Sequence, residues 1–198
     1  MHQIGRVKQV QVQPTRVKQG KKPHRFYDPS PLLVTAKLLL TREGVIGLTA
    51  ENEQVVDVHN AAHPDSRNTG MNGVSFGFTS HYRAMRARFG RHVIDGCAGE
   101  NILIEAEEEF ALEALGRRLT LQSQENGMLA SLDSLAVAAP CVEFSHFVLD
   151  DVLIPMPAEI LRETLIFLDH GRRGFYATFT NEEPFLLQAG DKVFVEES

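Results

Sequence analysis

The sequence predicts a mainly β protein with a few helices, whose strands close into a barrel or nearly so. Two observations predict it: many short apolar segments are separated by turn residues along the 198-residue chain, and few segments have the longer helical period. The chain is long enough to bury most of the apolar surface that its unfolded form exposes. Neither a repeat nor a change in composition marks a boundary, so we interpret residues 1–198 as one domain.

The predicted strands follow from alternation and from short apolar runs. Residues 10–13 alternate apolar and polar side chains, as a half-buried strand does. Residues 32–40 form an apolar run entered through two prolines, which predicts a buried strand. Residues 57–74 have no sustained period and are predicted to form a long loop, a kind of segment that is often functional. Later strands are predicted at 102–104, 119–122, 128–131, 135–139, 175–180 and, around a turn at 189–191, in 184–195.

Four helical segments are predicted between these strands. The first is capped by Thr79 or Ser80, runs to about Arg88 and ends at Gly90. Residues 107–115 form a turn or two, and 141–149 form a short helix. The segment 157–168 has an apolar stripe at helical spacing and predicts a longer helix.

Composition and charge exclude several classes of protein. The formal net charge of -6 argues against a general nucleic-acid binder. No apolar stretch is long enough to span a bilayer, and the N-terminus lacks the apolar core of a secretory signal. Two cysteines are too few for a disulfide framework. We therefore expect a cytoplasmic protein without membrane or nucleic-acid partners; the apolar helix near Leu161 or an accessible edge strand offers a surface for a homodimer.

The first part of the chain is strongly basic. No acidic residue precedes Asp28, whereas seven cations do: Arg6, Lys8, Arg16, Lys18, Lys21, Lys22 and Arg25. Such a segment forms either a local surface that attracts an anionic ligand or a strand edge that lysines keep solvated.

Cys141 is the first candidate for chemistry. It follows Pro140 at the end of a predicted strand and precedes the short predicted helix, whose free N–H groups favour a thiolate. A thiolate can act as a nucleophile, accept sulfur as a persulfide or ligate a soft metal. The alternative is a small buried apolar residue. Cys97, between Gly96 and Ala98, is interpreted as structural.

The predicted loop holds residues of the types that bind metals or anions. Asp57, His59, His63 and Asp65 include the usual zinc ligands, but a zinc site would need a further ligand from elsewhere. The same residues could instead stabilise a turn by hydrogen bonds. Arg67 is suited to an oxyanion, because a guanidinium group binds phosphate in a forked geometry.

Two further segments combine glycine with polar residues. Glu100 and Asn101 follow Gly99 at the entrance of a strand and supply acceptors and donors for a polar ligand, or form only a turn. His170, Arg172 and Arg173 lie in a segment with two glycines between a helix and a strand. It can cradle an anion, or it is a tight connection with exposed arginines.

Together these segments resemble the MOSC family, named after the C-terminal domain of molybdenum cofactor sulfurases. The matches occur in family order, from about residue 44 to 198: Gly47 with Asp57-Val-His59, Gly99-Glu-Asn-Ile, Pro140-Cys141, His170-Gly-Arg-Arg-Gly-Phe-Tyr-Ala177 and Gly190-Asp-Lys-Val193. Two features depart from the family pattern. Ala138 and Ala139 stand where many members have an arginine before the Pro-Cys pair, and residues are inserted between Gly47 and Asp57.

The resemblance implies a pyruvate-kinase-type β-barrel-like fold with its site at one rim. It implies binding of the molybdenum cofactor, a pterin with a phosphate and a dithiolene, and catalytic Cys141 as the molybdenum ligand. It places Arg67, Arg172 and Arg173 on phosphate or oxo groups and Glu100 and Asn101 on the pterin edge. The predicted cofactor-binding set also includes Asp57, His59, His63 and His170.

Four functions remain open at this point. The first is a molybdenum-dependent reductase of N-hydroxylated compounds, served by a separate electron-donor protein. The second is a sulfur carrier or sulfurtransferase that bears a persulfide on Cys141 and receives it from a sulfur-donor protein. The third is a non-catalytic module that binds a pterin or a small molecule. The fourth is a zinc hydrolase that uses His59 and His63.

Overall fold

The computed structural model describes residues 1–150 and 156–196. In this part of the chain we number the strands β1 (His2–Val12), β2 (Lys18–Gln19), β3 (Phe26–Tyr27), β4 (Leu33–Val34), β5 (Lys37–Thr41), β6 (Gly44–Leu48), β7 (Gln54–Val56), β8 (Val74–Phe78), β9 (Ile102–Glu105), β10 (Arg118–Gln122), β11 (Leu129–Val137), β12 (Phe175–Phe179), β13 (Phe185–Gln188) and β14 (Lys192–Val195). The helices are α1 (Thr79–Phe89), α2 (Leu112–Leu115), α3 (Val142–Val148) and α4 (Ala158–Leu168).

Seven strands close into a barrel. They run in the order β14-β10-β11-β12-β8-β9-β1, and β1 pairs with β14 to complete the ring. All neighbours are antiparallel except β8 and β9, which are parallel. Closure leaves these strands without a free edge. The mainly β, barrel-like fold that the sequence predicts is therefore confirmed.

The remaining strands lie outside the ring. Strand β4 extends the sheet beyond β1, and β13-β5-β6-β7 form a second antiparallel sheet. Strands β2 and β3 form a small hairpin, the basic hairpin, which carries four of the early cations: Lys18, Lys21, Lys22 and Arg25. This hairpin packs against α3, because Tyr27 makes edge contact with Phe144 at a ring separation of 5.1 Å.

Two apolar cores hold the elements in place. The first fills the barrel with buried side chains from every strand of the ring, among them Phe76, Phe78 and Phe175. The second lies under α1, α3 and α4 and includes Met85, Phe144 and Leu168. Since Phe144 and Val148 of α3 are fully buried there, the second core fixes the helix that follows Cys141.

The apolar run 32–40 differs from its prediction as one buried strand. Leu33–Val34 pairs with β1 and is exposed, whereas Lys37–Thr41 belongs to the second sheet. Thr35 and Ala36 carry the chain between the two sheets, because the Thr35 N–H donates to Val10 and the Ala36 N–H to Leu48. Composition shows that this run is apolar but not that it changes sheets in the middle.

Two other predictions also differ from the structure. The strands predicted at 128–131 and 135–139 form the single strand β11, which continues through an irregularity near Ser134, a residue with φ 54°. Helix α1 has no side-chain cap: Phe78 occupies the N-cap position. The Thr79 hydroxyl instead bonds to the backbone of Ala106, at 3.1 Å to its N and 3.2 Å to its O. Thr79 therefore attaches α1 to the end of β9.

None of the helices in residues 1–150 and 156–196 has the length and apolar character that crossing a bilayer requires.

Candidate functional site

A cavity of about 370 Å³ lies at one rim of the barrel and is partly open to solvent. We call it the closed cavity only to distinguish it from a more open groove beside it. Five chain segments form its wall: the end of β1 with the basic hairpin, the loop before β8, the turn at 98–100, the turn at 138–141 and the start of β12. Of the predicted site residues, this wall includes Cys141, His59, Arg67, Glu100 and Arg173. Residues far apart in sequence therefore meet at one rim, as the resemblance implies.

Cys141 occupies the N-cap position of α3. Its backbone is extended, with φ -123° and ψ 156°, and its carbonyl accepts hydrogen bonds from the Ser145 N–H and hydroxyl, both at 3.0 Å. The short helix predicted here is confirmed as Val142–Val148. The thiol is half-buried and borders the closed cavity, so a ligand in the cavity can contact it.

Cys97 has a different environment. Its side chain is 2% exposed and belongs to the second core. Burial, with a smaller effect from the carboxylates of Glu100 and Asp95, raises the pKa of the Cys97 thiol far above its usual value. Cys97 therefore stays a neutral apolar side chain, and Cys141 is the thiol suited to chemistry.

Arg173 extends along the wall of the closed cavity. Its Nη2 donates to the Ala98 carbonyl at 3.2 Å, and its guanidinium lies 5.6 Å from the centre of the Phe144 ring. Its Nε is buried and has no hydrogen-bond partner among the described residues. A guanidinium with an unsatisfied donor on a cavity wall is suited to an anionic or hydrogen-bond-accepting ligand.

The charge of Arg173 is stabilised by its neighbours. Burial alone would lower the pKa of this arginine, but two tyrosines, Cys141 and Glu100 act in the opposite direction and raise it. Arg173 is therefore a permanent cation close to both the Cys141 thiol and the Glu100 carboxyl.

Glu100 is the buried acid of the closed cavity. It is 4% exposed; its Oε2 accepts from the Tyr82 hydroxyl at 2.9 Å, and its Oε1 has no partner among the described residues. Burial raises the pKa of Glu100 to about 7, although the Tyr82 hydrogen bond and the Arg173 charge lower it. At neutral pH this carboxyl can therefore hold or release a proton.

His59 is oriented by Asp57. The Asp57 carboxylate is fully buried, and its Oδ1 accepts from the His59 N–H at 2.8 Å and contacts the His59 Nδ1 at 3.1 Å. A proton on Nδ1 satisfies this contact and leaves Nε2 as the nitrogen available to a ligand. Asp57 thus fixes the tautomer of a histidine on the cavity wall.

Asn101 and Asp57 lie behind this wall and do not line the cavity. The Asn101 side-chain amide donates to the Asp57 Oδ2 at 2.9 Å, and its Oδ1 accepts from the Ser75 N–H and hydroxyl at 3.0 and 2.9 Å. The same Asp57 oxygen accepts from the Gln13 N–H at 2.7 Å. These bonds connect the residue after β1, the start of β8, the turn before β9 and the loop before β8, so both residues position the wall of the site.

Three other predicted ligand residues lie outside the cavity lining, and two of them bind protein partners. His63 bonds through Nε2 to the Pro14 carbonyl at 3.0 Å. Arg172 donates to Phe167 and to Glu109 at 2.6 and 2.9 Å and stacks on the Phe167 ring. His170 is exposed, with φ 59°. None of the three belongs to the cavity lining, so their predicted contact with a cofactor stays a prediction.

The structure adds three cations that the motifs did not assign to the site: Arg16, Lys18 and Arg25 line the closed cavity. Glu143 pairs with Arg25 and lies 3.6 Å from Lys18. Burial opposes its ionisation, but its own backbone N–H and these two cations lower the pKa of Glu143 to about 2. The signal in the sequence was the acid-free segment before Asp28, which fits the anion-attracting alternative.

A zinc site is not assembled in the part of the chain that the structure describes. No group of three or more His, Cys, Asp or Glu side chains is placed to hold a metal ion there. His59 is turned to Asp57 and His63 to Pro14, so the two rings do not share a ligand position. The zinc-hydrolase hypothesis therefore lacks its ligand set.

No protein-family model and no curated protein matches the chain. Solved structures do match. The YuaD protein from Bacillus subtilis superposes with a TM-score of 0.58 at 13% identity, over 96% of this chain and 93% of that one. YiiM from Geobacillus stearothermophilus gives 0.52 at 14% identity, over 97% and 75%. A hypothetical protein gives 0.52 at 12% identity, over 98% and 69%.

Identities this low establish the fold alone. The chain therefore shares a mainly β, closed-barrel fold with these structures.

Proposed function

We propose that this chain is a MOSC protein that binds the molybdenum cofactor in the closed cavity, with Cys141 as the thiolate ligand of the metal. The observation that carries the proposal is that one accessible thiol and five cations share the wall of one cavity. The cations are Arg16, Lys18, Arg25, Arg67 and Arg173. Anionic ligands are attracted to such a cavity, and a thiolate suits a soft metal.

The unsatisfied atoms of the cavity support a pterin with a phosphate. Arg173 has a buried Nε that lacks an acceptor, and Glu100 has a buried Oε1 that lacks a partner. A pterin edge offers both acceptors and donors, and a phosphate offers acceptors only. Arg173 would therefore bind phosphate or pterin oxygens, and Glu100 would bind a pterin N–H. His59 would offer its Nε2 to the same ligand.

One departure from the family pattern, the uncharged pair before Pro140, lies on the cavity wall. Ala138 and Ala139 line the closed cavity and carry no charge where many members have an arginine. Lys18 and Arg25 reach the same cavity from the basic hairpin. We infer that the hairpin supplies the positive charge that the alanines lack.

When bound, the cofactor would supply a redox-active metal, and the reaction class that the resemblance suggests is reduction of N-hydroxylated compounds. The chain's own contribution would be to hold the group through Cys141 and Arg173 and to exchange a proton at the Glu100 carboxyl. No cysteine set for an iron–sulfur cluster is present in the sequence, so the electrons would come from another protein.

The test is the molybdenum content per chain after expression in a host that makes the cofactor. Near-stoichiometric molybdenum is expected in the wild type and should be lost in Cys141→Ala. The matched control is Cys97→Ala, which removes the other thiol and should keep the metal, because Cys97 lies in the second core. Absence of both molybdenum and pterin from the wild type would refute the proposal.

Sulfur transfer is a second candidate function, favoured by a separate observation. Cys141 also borders an open groove outside the closed cavity, so its thiol can be approached by a bulky donor. A sulfur carrier should gain the mass of one sulfur atom on Cys141, and a reductant should remove it. Modification of Cys97 with Cys141 left unmodified would contradict this function. If neither molybdenum nor sulfur is found, a non-catalytic binding module remains.

A further inference from the structure

The open groove lies between the basic hairpin and α3. It has a volume of about 1000 Å³, and Pro140, Cys141 and Val142 form one of its sides. Cys141 borders the closed cavity as well, so the two spaces adjoin at this thiol. A group in the groove can therefore reach Cys141 without entering the closed cavity.

The groove exposes apolar side chains that proteins usually bury. Phe26 of the hairpin is 52% exposed, and Val142, adjacent to Cys141, is 47% exposed. Pro23 and Leu165 extend this apolar lining along the groove. Clustered exposed apolar groups beside a candidate reactive residue are typical of an interaction surface.

Positive charge surrounds these apolar groups. Lys18, Lys22 and Arg25 line the groove, and among the described lining residues the one carboxylate is Glu143. Glu143 is already paired with Arg25 and close to Lys18, so it does not neutralise Lys22, which is exposed. A segment that carries both carboxylates and apolar side chains complements this surface, whereas a basic segment would be repelled.

We propose that the groove docks an acidic and apolar segment of a partner protein that delivers sulfur to Cys141. This inference rests on the sulfur-transfer function. The Cys141 thiolate attacks the outer sulfur of a cysteine persulfide on the partner. An S–S bond forms at Cys141, and the S–S bond of the partner breaks. The proton stays on the transferred sulfur and the electron pair leaves with the partner's thiolate, so no external oxidant or reductant is needed.

The experiment uses the full chain and a synthetic probe. The probe is a peptide of alternating Asp and Leu with one cysteine activated as a 2-pyridyl disulfide. Its exchange with Cys141 releases thiopyridone, whose absorbance gives the rate. A peptide with Lys in place of Asp is the charge control, 2,2′-dipyridyl disulfide is the small neutral reagent, and Cys141→Ser gives the background. The acidic peptide should react about tenfold faster than the basic one at low salt.

Groove variants should change the peptide rate alone. Lys22→Glu and Phe26→Ser should each slow the acidic peptide about fivefold, without changing the rate of the small reagent. Lys21→Glu is the matched control, because this neighbouring exposed lysine makes the same charge change outside the groove lining. Equal rates for the two peptides, or equal losses in Lys21→Glu and Lys22→Glu, would overturn the docking inference.

A failure of the sulfur-transfer function can be distinguished from a failure of docking. If Cys141 does not react with the small reagent, the thiol is not suited to exchange and that function fails. Docking is then measured without chemistry, by fluorescence anisotropy of a labelled acidic peptide that has no cysteine. Its affinity should fall about fivefold in Lys22→Glu and stay unchanged in Lys21→Glu. No binding of this peptide to the wild type would overturn the docking inference independently.

Discussion

The buried Glu100 carboxyl should make the stability of the protein fall as the pH rises. Its pKa is raised from 4.5 to about 7, mainly by burial. Between these two pH values the folded chain binds a proton that the unfolded chain has released. The stabilising contribution of the protonated carboxyl is therefore complete below about pH 4.5, is lost progressively up to about pH 7, and stays lost above it.

The size of the effect follows from the difference between the two pKa values. One pKa unit corresponds to about 1.4 kcal/mol, so ionising Glu100 in the folded state should cost about 3 kcal/mol. Glu100→Gln removes the titration and keeps an oxygen that can accept from the Tyr82 hydroxyl. Urea unfolding, followed by far-ultraviolet circular dichroism because the chain has no tryptophan, gives the free energy of unfolding at each pH.

The decisive quantity is the difference in unfolding free energy between Glu100→Gln and the wild type. This difference should shift in favour of the variant by about 3 kcal/mol between about pH 4 and about pH 8. Glu105→Gln is the control, because Glu105 lies five residues further along and is exposed. A difference that stays constant across the pH range would refute the raised pKa of Glu100 and, with it, the proton exchange assigned to this residue.

Two further predictions concern the wall of the closed cavity. Asp57→Asn should lower the unfolding free energy by about 3 kcal/mol, because a buried acceptor that binds four donor groups becomes partly a donor. Asp65→Asn, on the exposed part of the same loop, should have little effect in the same urea assay. Arg173→Met should weaken binding of inorganic phosphate about tenfold by calorimetry, because it removes a charged donor from the cavity. Equal weakening in Arg172→Met would show that phosphate does not bind in the closed cavity.

The sequence predicts a mainly β fold because its individual strands show local patterns, although the β1–β14 pairing that closes the barrel joins the two ends of the chain. Strands such as Arg118–Gln122 and Phe175–Phe179 are short and bounded by turn residues, and their apolar side chains alternate where they face the barrel core. The position of Cys141 before a short helix is equally local. These features depend on residues that are neighbours in the chain, so pattern analysis identifies them.

The composition of the cavity wall depends on distant contacts and is less predictable. Arg172 and Arg173 are adjacent and chemically identical, yet only Arg173 lines the cavity. Directly after Arg173, Gly174 leads the chain into β12 with a φ of 126° and lies close to the Phe76 carbonyl, a conformation and a contact that favour glycine. The basic hairpin is placed by the packing of Tyr27 on α3, which the sequence between residues 18 and 27 does not show.

Through its charge, Arg173 should couple the binding of an anion in the cavity to the protonation of the Glu100 carboxyl. This cation lies near both Glu100 and Cys141 and stabilises the ionised form of the carboxyl. An anion bound to Arg173 brings negative charge towards Glu100 and offsets that stabilisation, so it should raise the pKa of Glu100 further. A saturating anion should then move the pH-dependent loss of stability to higher pH in the wild type. In Glu100→Gln the anion should cause no such pH shift, because the titrating group is absent. A protonated Glu100 is a donor and an ionised one only an acceptor. The buried carboxyl in a basic cavity therefore makes the hydrogen bonds offered near the thiol depend on whether an anion is bound.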